Sequence, residues 1–185
     1  MSTNQPTSVW QVITHNTAGN DSAWFWTMVQ AIGVILTLYL ILRQIRLQRM
    51  ANTLTTLADF QRRWEANEMS EARKAICKAY REQKPLPVQS AERVSCFFEE
   101  LGLYRHKKVF DKYTVWELYS YYVEHYWPLL KPRIDDMRKE DKTVYTSFEA
   151  LHRETKKVSK KRGAPTDAKP PEVLAEFIKE ELAKS

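Results

Sequence analysis

An uninterrupted apolar stretch, residues 23–42, constrains the fold of this chain more than any other feature of its sequence. The stretch contains no charged side chain, and a helix of about 20 apolar residues crosses the hydrocarbon core of a bilayer. Trp24 and Trp26 lie near its start and Tyr39 near its end, where aromatic rings favour the boundary between lipid and water. The sequence therefore predicts a transmembrane helix over residues 23–42.

Two other structures can account for such a stretch: a cleaved secretory signal peptide and a buried core helix. A signal peptide begins with a basic region, whereas residues 1–22 contain neither Lys nor Arg. A core helix that is apolar on all sides needs a larger surrounding domain than the rest of this 185-residue chain supplies. A retained membrane span is the favoured interpretation.

The distribution of positive charge predicts the orientation of the span. All 29 Lys and Arg residues follow residue 42, and Arg43, Arg46 and Arg49 come directly after the span. Because basic residues are enriched on the cytoplasmic side of a membrane, we expect the N-terminus outside and the C-terminus in the cytoplasm. The predicted localisation is the cell (inner) membrane, crossed once.

A chain of 185 residues has room for one small domain besides the span. The predicted segments are an extracytoplasmic segment at 1–22, the transmembrane helix at 23–42, a cytoplasmic helical domain at 43–155, a basic flexible linker at 156–171 and an amphipathic C-terminal helix at 172–185. The predicted fold class is all-α. We expect the transmembrane helix to continue into a stalk, followed by a small cytoplasmic helical bundle.

The stalk is predicted from apolar residues that recur at steps of three and four. These residues are Leu47, Met50, Leu54, Leu57 and Trp64. Neither Gly nor Pro interrupts residues 35–83, so a long helix is permitted. The stripe is expected to pack on downstream helices of the same chain, which we favour, or on the same stripe of a second copy as a short coiled coil.

Turn and capping residues predict the ends of the cytoplasmic helices. The Lys-Pro-Leu-Pro sequence at 84–87 is expected to form a turn or a short linker. Ser90 is expected to open the next helix and Gly102 to end it. Residues 103–110 are then expected to form a turn or a small hairpin.

The next helix carries apolar and aromatic residues with a period near 3.6, which predicts the centre of the core. Asp111 is expected to cap its N-terminus, and Pro128 and Pro132 are expected to end it. Two further short helices are expected to close the bundle.

Four sequence patterns characterise the helical domain: FFEELGLY at 97–104, VFDKYTVWELYSYYVEHYW at 109–127, LKPRI at 130–134 and YTSFEAL at 145–151. In order and spacing they resemble a bacterial family of small single-span membrane proteins whose cytoplasmic helical domain is of unknown function. The resemblance covers residues 23–152 and implies the same architecture and topology. It transfers no catalytic residue, and the C-terminal extension from Lys156 departs from the family pattern.

Residues with metal-binding or redox chemistry are scattered in this sequence. His106, His125 and His152 lack the spacing that places two imidazoles over one metal ion, so we expect structural or surface histidines. Cys77 and Cys96 are far apart and are expected to be ordinary thiols.

Charged residues beside apolar faces are expected to form internal ion pairs. The candidates are Arg73, Glu99 and Arg133. Glu99 and Glu100 are adjacent, and adjacent helical side chains diverge too far to share a proton as a catalytic dyad does. We therefore expect no catalytic residue, no cofactor and no metal.

The strongest charged feature is basic. The residues predicted to bind an anionic membrane surface are Arg43, Arg46, Arg49, Lys156, Lys157, Lys160, Lys161 and Arg162. On a tethered protein, each basic residue near an anionic leaflet contributes about 1 kcal/mol. Solvated charge without a fixed partner is the alternative for the run at 156–162. Nucleic-acid binding through the aromatic residues at 113–127 is less favoured, because tyrosines at helical spacing are usually core residues.

The predicted C-terminal helix has one apolar face. Its residues are Val173, Leu174, Phe177, Ile178 and Leu182. Because so short a helix is marginal in water, we expect this face to dock on the bundle, on a protein partner or on the membrane surface. The mixed Lys and Glu residues of its polar face favour docking on protein over insertion into lipid.

Together these features predict a non-enzymatic interaction or regulatory module at the inner membrane. Its expected partners are membrane lipids and a protein or a second copy, bound through the stalk or the C-terminal helix. A membrane-bound enzyme or effector, or a tethered nucleic-acid-binding protein, is the alternative.

Overall fold

The computed structural model describes residues 23–163 and 171–183, and the regular structure of these residues is helical throughout. In chain order the helices are α1 (Ala23–Glu65), α2 (Asn67–Arg81), α3 (Val88–His106), α4 (Lys112–Met137), α5 (Thr146–Lys161) and α6 (Pro171–Ala183). The predicted all-α class is confirmed. The predicted extracytoplasmic segment at 1–22 and residues 164–170 of the predicted linker lie outside the described residues.

The chain divides into two compact units, and α1 contributes to both. The first unit ends at Asn52 and the second runs from Thr53 to Ser185. In the first unit every described side chain is exposed, including the whole apolar stretch. Thr27 and Thr37 donate their hydroxyl hydrogens to the carbonyl oxygens four residues earlier, at 2.8 Å, so their polar groups are satisfied within the helix. The predicted continuation of this helix into a stalk is confirmed.

Aromatic rings form the centre of the core in the second unit. Trp64, near the end of α1, is 5% exposed. Its ring centroid lies 4.8 Å from that of Phe97, 5.3 Å from Phe98, 4.9 Å from Tyr122 and 5.9 Å from Tyr126. Tilted and edge-to-face ring pairs stabilise a fold by about 0.5–1.5 kcal/mol each beyond their burial. This cluster joins the end of α1 to α3 and α4.

The apolar stripe of the stalk is buried only in its last part. Leu57 packs against the core and Trp64 lies within it. Intrachain packing is thus confirmed for the part of α1 that belongs to the second unit. Leu47, Met50 and Leu54 are each more than half exposed.

The connection from α2 to α3 consists of a turn at 82–83 and an extended linker at 84–87, which agrees with the predicted short linker. The predicted start of α3 at Ser90 is wrong, because the helix begins at Val88. Pro87 occupies the N-cap position with extended backbone (φ −60°, ψ 121°), and no side chain caps this end. Proline presets the backbone before the first helical turn, so Ser90 is not needed as a cap.

Gly102 lies inside α3 rather than at its end, and the prediction that it stops the helix is wrong. The helix continues to His106, and residues 107–110 form a turn. A Cβ at position 102 would overlap the backbone carbonyl of Ser147, beside the start of α5. The glycine therefore permits α3 and α5 to approach closely.

Asp111 caps α4 as predicted. Its Oδ2 accepts hydrogen bonds from the backbone N–H of Tyr113 at 2.7 Å and of Thr114 at 3.3 Å. The N–H of Tyr113 is the main cause that lowers the pKa of the Asp111 carboxyl below 3.8. The carboxylate is thus the form that stabilises this helix end.

Pro128 and Pro132 lie inside α4, which continues to Met137, so the predicted helix end is wrong. Both prolines are exposed, while Leu129 and Leu130 are buried. A proline removes one helical hydrogen bond, and water can satisfy the carbonyl freed on the exposed side. The first of the two predicted closing helices is the last part of α4, and the second is α5.

Helix α5 extends further than the sequence predicted. It runs from Thr146 to Lys161, so residues 156–161 are helical, and the prediction of a flexible linker is wrong for them. Val158 and Ser159 are buried, which anchors the end of this helix on the bundle.

Candidate functional site

Helix α6 packs on α2 and on aromatic residues of α4. Phe177 and Ile178 are 1% and 5% exposed, and Leu174 and Leu182 pack against the core, whereas Val173 remains 37% exposed. Docking of this face on the bundle, one of the predicted alternatives, is therefore observed, and its binding to another protein stays a prediction. A short helix that is marginal in water is stabilised by an apolar groove of its own chain.

Glu181 is the polar centre of this contact. Its side chain is 1% exposed, and its Oε2 accepts a hydrogen bond from the Tyr126 hydroxyl at 2.7 Å and lies 3.5 Å from Nε of Arg73. Burial raises the pKa of Tyr126, which keeps its hydroxyl protonated and available as a donor. The buried carboxylate is thus matched by a guanidinium and a hydroxyl, as burial of a charge requires.

Aromatic side chains complete the walls around α6. The guanidinium carbon of Arg73 lies 4.4 Å from the ring centre of Trp64. The Phe177 ring stacks on His125 with centroids 4.5 Å apart. The Tyr121 hydroxyl donates to Glu180 at 2.7 Å. We define the α6 groove by the residues Trp64, Arg73, Tyr121, His125 and Tyr126.

Two of the three residues proposed for internal ion pairs have carboxylate partners. Arg73 pairs with Glu181, and Arg133 lies 3.7 Å from a carboxylate oxygen of Glu92. The Arg73 pair is the more buried, with side-chain exposures of 8% and 1%, against 33% and 44% for the Arg133 pair. A buried pair costs far more to break than an exposed one, so Arg73 is the more consequential residue.

Glu99 has a different role from the one predicted. Its two carboxylate oxygens accept hydrogen bonds from the backbone N–H groups of Ser147 and Phe148, at 3.1 and 2.7 Å. Tyr145, at the N-cap position of α5, has a left-handed backbone with φ of 53° and provides no side-chain cap. Glu99 therefore caps α5 from α3.

A partly exposed basic–aromatic surface lies where α4 begins and α5 ends. The guanidinium carbon of Arg162 lies 4.6 Å from the ring centre of Trp116 and 5.3 Å from that of Tyr113. Lys112 Nζ lies 4.8 Å from the Tyr113 ring centre. The Trp116 indole donates to Oγ of Ser159 at 2.7 Å, which fixes the ring. We define the basic–aromatic surface as Lys112, Tyr113, Trp116 and Arg162.

The residues predicted to bind an anionic surface fall into both units. Arg43, Arg46 and Arg49 lie on α1 in the first unit and are exposed. The others lie on or directly after the last turns of α5: Lys156, Lys157, Lys160, Lys161 and Arg162. All of these except Lys156 are exposed, and Arg162 is the one that contacts aromatic rings.

An open groove of about 600 Å³ lies between the turn after α2 and the second half of α4. Leu129 contributes to its apolar lining, and Arg133 and Asp136 provide charges. Both charges already have partners, since Arg133 lies near Glu92 and Asp136 accepts from Lys139 at 2.7 Å. These two charges are therefore already engaged in ion pairs with residues of the bundle.

The histidines are packing or surface residues in this structure, as predicted. His152 stacks on Trp127 with centroids 5.2 Å apart, and His125 packs on Phe177 with Nδ1 2.5 Å from the Tyr121 carbonyl oxygen. His106 is exposed. Within residues 23–163 and 171–183, no group of three His, Cys, Asp or Glu side chains could hold a metal ion.

This architecture defines an all-helical protein with one long apolar helix followed by a bundle. The family described as a domain of unknown function (DUF4760) matches residues 27–155, and the chain belongs to that family. Membership of a family whose domain is of unknown function was predicted from the sequence patterns and is confirmed. No curated protein and no solved structure matches the chain. The match ends within α5, so α6 lies outside the family domain.

Sequence reasoning missed Glu181, although the sequence contains a signal for it. Glu181 follows Phe177 by four positions and Ile178 by three, so it lies on the apolar face of α6. An acidic residue on an apolar face requires a buried cationic or hydrogen-bonding partner. Which residue supplies it depends on tertiary packing.

Proposed function

We propose that this protein is a single-span membrane protein whose helical bundle acts as a cytoplasmic binding module held at the inner membrane of a bacterium. One observation supports the anchor more than any other. The first part of α1 is long and apolar enough to cross a membrane, and every side chain of its apolar stretch is exposed. Exposed apolar surface of this extent is unfavourable in water and favourable in lipid.

The orientation and the retention of the anchor are tested together. Full-length protein carrying a C-terminal reporter that is active only in the cytoplasm is expected to be active, and the reporter that requires export is expected to be inactive. Intact mass of protein extracted from alkaline-washed membranes should include residues 23–42. A mature protein that begins after this stretch would identify a cleaved signal sequence and contradict the proposal.

We further propose that the module acts by binding rather than by catalysis, and that the basic–aromatic surface recognises anionic lipid headgroups. The Arg162 guanidinium lies over two aromatic rings, which restrict the motion of its long side chain. The positive charge is therefore held at a fixed, exposed position on the surface. Lys157, Lys160 and Lys161 add exposed charge on the same part of α5. Tethering makes weak headgroup contacts effective, because the lipid concentration at the membrane is high.

Hydrogen exchange of the full-length protein in nanodiscs tests this binding. Residues 107–116 and 156–163 are expected to exchange more slowly in nanodiscs containing phosphatidylglycerol than in phosphatidylcholine alone. The difference should disappear at high salt and in an Arg162→Gln, Lys161→Gln variant. The matched control is Lys139→Gln, a surface lysine on the segment after α4. Equal exchange in both lipids would contradict headgroup binding, and retention on single-stranded nucleic acid would favour the alternative partner.

A further inference from the structure

The α6 groove and its occupant belong to different parts of the chain. Every residue that defines the groove lies within the matched family domain at 27–155, whereas α6 lies beyond it. The groove residues therefore lie inside the matched region, and α6 lies outside it. A site inside the matched region that is filled by a segment from outside it has the arrangement of a receptor with an internal ligand.

The chemistry of the groove is selective for a particular kind of helix. Arg73 lies 3.5 Å from Glu181, and the Tyr126 hydroxyl donates to the same carboxylate oxygen at 2.7 Å. A helix with an apolar or amide group at this position would leave the guanidinium buried without its counter-charge. Phe177 enters between Tyr126 and His125, with ring centroids 5.2 and 4.5 Å away. The groove thus selects a helix with an aromatic residue four positions before an acid.

Part of the groove is held by contacts that do not involve α6. The Arg73 guanidinium stacks on Trp64, and the Trp64 ring packs between residues of α3 and α4. None of these contacts involves α6. A cation held in place by the groove itself is a preorganised binding group, which reduces the entropy cost of binding a ligand.

Helix α6 has the properties of a releasable occupant. It is a 13-residue helix, and a helix of this length is marginal in water. The entropy lost when the segment becomes helical therefore reduces the free energy gained by its docking. Its Arg73–Glu181 contact provides selectivity more than net stability, because desolvation offsets much of the attraction. The sequence between α5 and α6 is short, which gives α6 an effective concentration of roughly millimolar. A second helix therefore competes when it binds tightly or is itself concentrated at the membrane.

We propose that the α6 groove is a receptor for acidic amphipathic helices of a partner protein, and that α6 occupies it as a displaceable internal ligand. The partner helix presents Leu, Phe, Ile and Glu in the order and spacing of Leu174, Phe177, Ile178 and Glu181. Binding of the partner releases α6, so the contact is exclusive.

A labelled synthetic peptide with the sequence of residues 171–185 is the probe. It is titrated by fluorescence anisotropy into the full-length protein in nanodiscs. We expect weak binding to the native chain and binding about tenfold tighter or more to a Phe177→Ala chain, whose own α6 is a weaker competitor. A peptide with Glu181→Gln should bind the opened chain about tenfold more weakly or worse, since it leaves Arg73 unpaired. The matched control peptide carries Glu176→Gln at an exposed position and should bind within about twofold.

A second variant tests the proposal if the Phe177→Ala chain does not fold. A protease site is introduced between residues 164 and 170, so that cleavage leaves α6 bound only through the groove. Exchange of the cleaved α6 for labelled peptide, with the helical content of the remaining chain preserved, supports the proposal. Failure of peptide to bind the folded, opened chain would overturn it, as would equal binding of the Glu181→Gln peptide. A doubled particle mass would identify a second copy as the occupant and overturn the choice of a separate partner.

Discussion

His152 connects the packing of the bundle to pH. It stacks on Trp127, and burial lowers the pKa of its imidazole from 6.5 to about 4, with the nearby Lys156 adding to the shift and Glu149 opposing it. The unfolded chain takes up a proton near the ordinary pKa, whereas the folded chain takes it up only at lower pH. The stabilising contribution of neutral His152 is therefore complete above pH 6.5 and is lost as the pH falls towards 4.

We predict that His152→Gln reduces the loss of stability over this window by roughly 1–2 kcal/mol, once partial solvent screening is allowed for. The measurement is the free energy of unfolding by denaturant of the full chain, above pH 6.5 and near pH 4. His106→Gln, which replaces an exposed histidine, is the control variant. If the free energy of unfolding changed equally with pH in the native chain and in the His152 variant, a buried neutral imidazole would be contradicted.

The first turn of α5 depends on a carboxylate from another helix. Glu99 caps the backbone of Ser147 and Phe148, whereas the neighbouring Glu100 forms a half-exposed ion pair with Arg63 at 2.5 Å. Loss of a helix cap costs about 1–2 kcal/mol, and an exposed ion pair is worth less than about 1 kcal/mol. We therefore predict that Glu99→Ala destabilises the bundle more than Glu100→Ala. Denaturant unfolding of both variants measures the two losses of stability, and equal losses would contradict the larger contribution of the cap.

The capping residues also show which helix ends could be read from sequence. Asp111 acts on backbone groups two and three positions away, so its role is visible in the local sequence. Gly102 resembles the glycine that ends a helix. The structure shows instead that a glycine is needed there because the backbone of Ser147, in another helix, leaves no space for a Cβ. Pro128 is tolerated inside α4 because its position is exposed, which is a property of the packed bundle. Local chemistry was predictable, and the exceptions arise where two helices meet.

Part of the candidate site was likewise predictable from local sequence, and part depends on the packing of the helices. The apolar face of α6 and the internal pairing of Arg73 follow from helical periodicity and from the cost of burying charge. Helical periodicity does not predict that this face docks on the chain's own bundle. It indicates that the face is covered, but it does not identify the surface that covers it. The basic run at 156–162 was visible as charge, whereas the stacking of Arg162 on Trp116 required the arrangement of α4 and α5.

At the scale of the whole molecule, the proposed anchor depends on the absence of charge in the first part of α1. Ile32 lies near the middle of the apolar stretch. An arginine near the centre of a span costs about 2.5–3.5 kcal/mol on insertion scales. We predict that Ile32→Arg lowers the fraction of protein that resists alkaline extraction from membranes, while Ile32→Leu leaves that fraction unchanged. An unchanged fraction for the arginine variant would show that this stretch is not the anchor.

The position of Glu181 in the chain also sets an order of events during synthesis. Synthesis from the N-terminus produces Arg73 well before Glu181, and domains generally fold as their residues emerge. Until α6 has emerged, Arg73 lacks the carboxylate that it pairs with in the folded bundle. A chain truncated before α6 would therefore leave a buried cation without this counter-charge, and we expect such a chain to be less stable than one that contains α6.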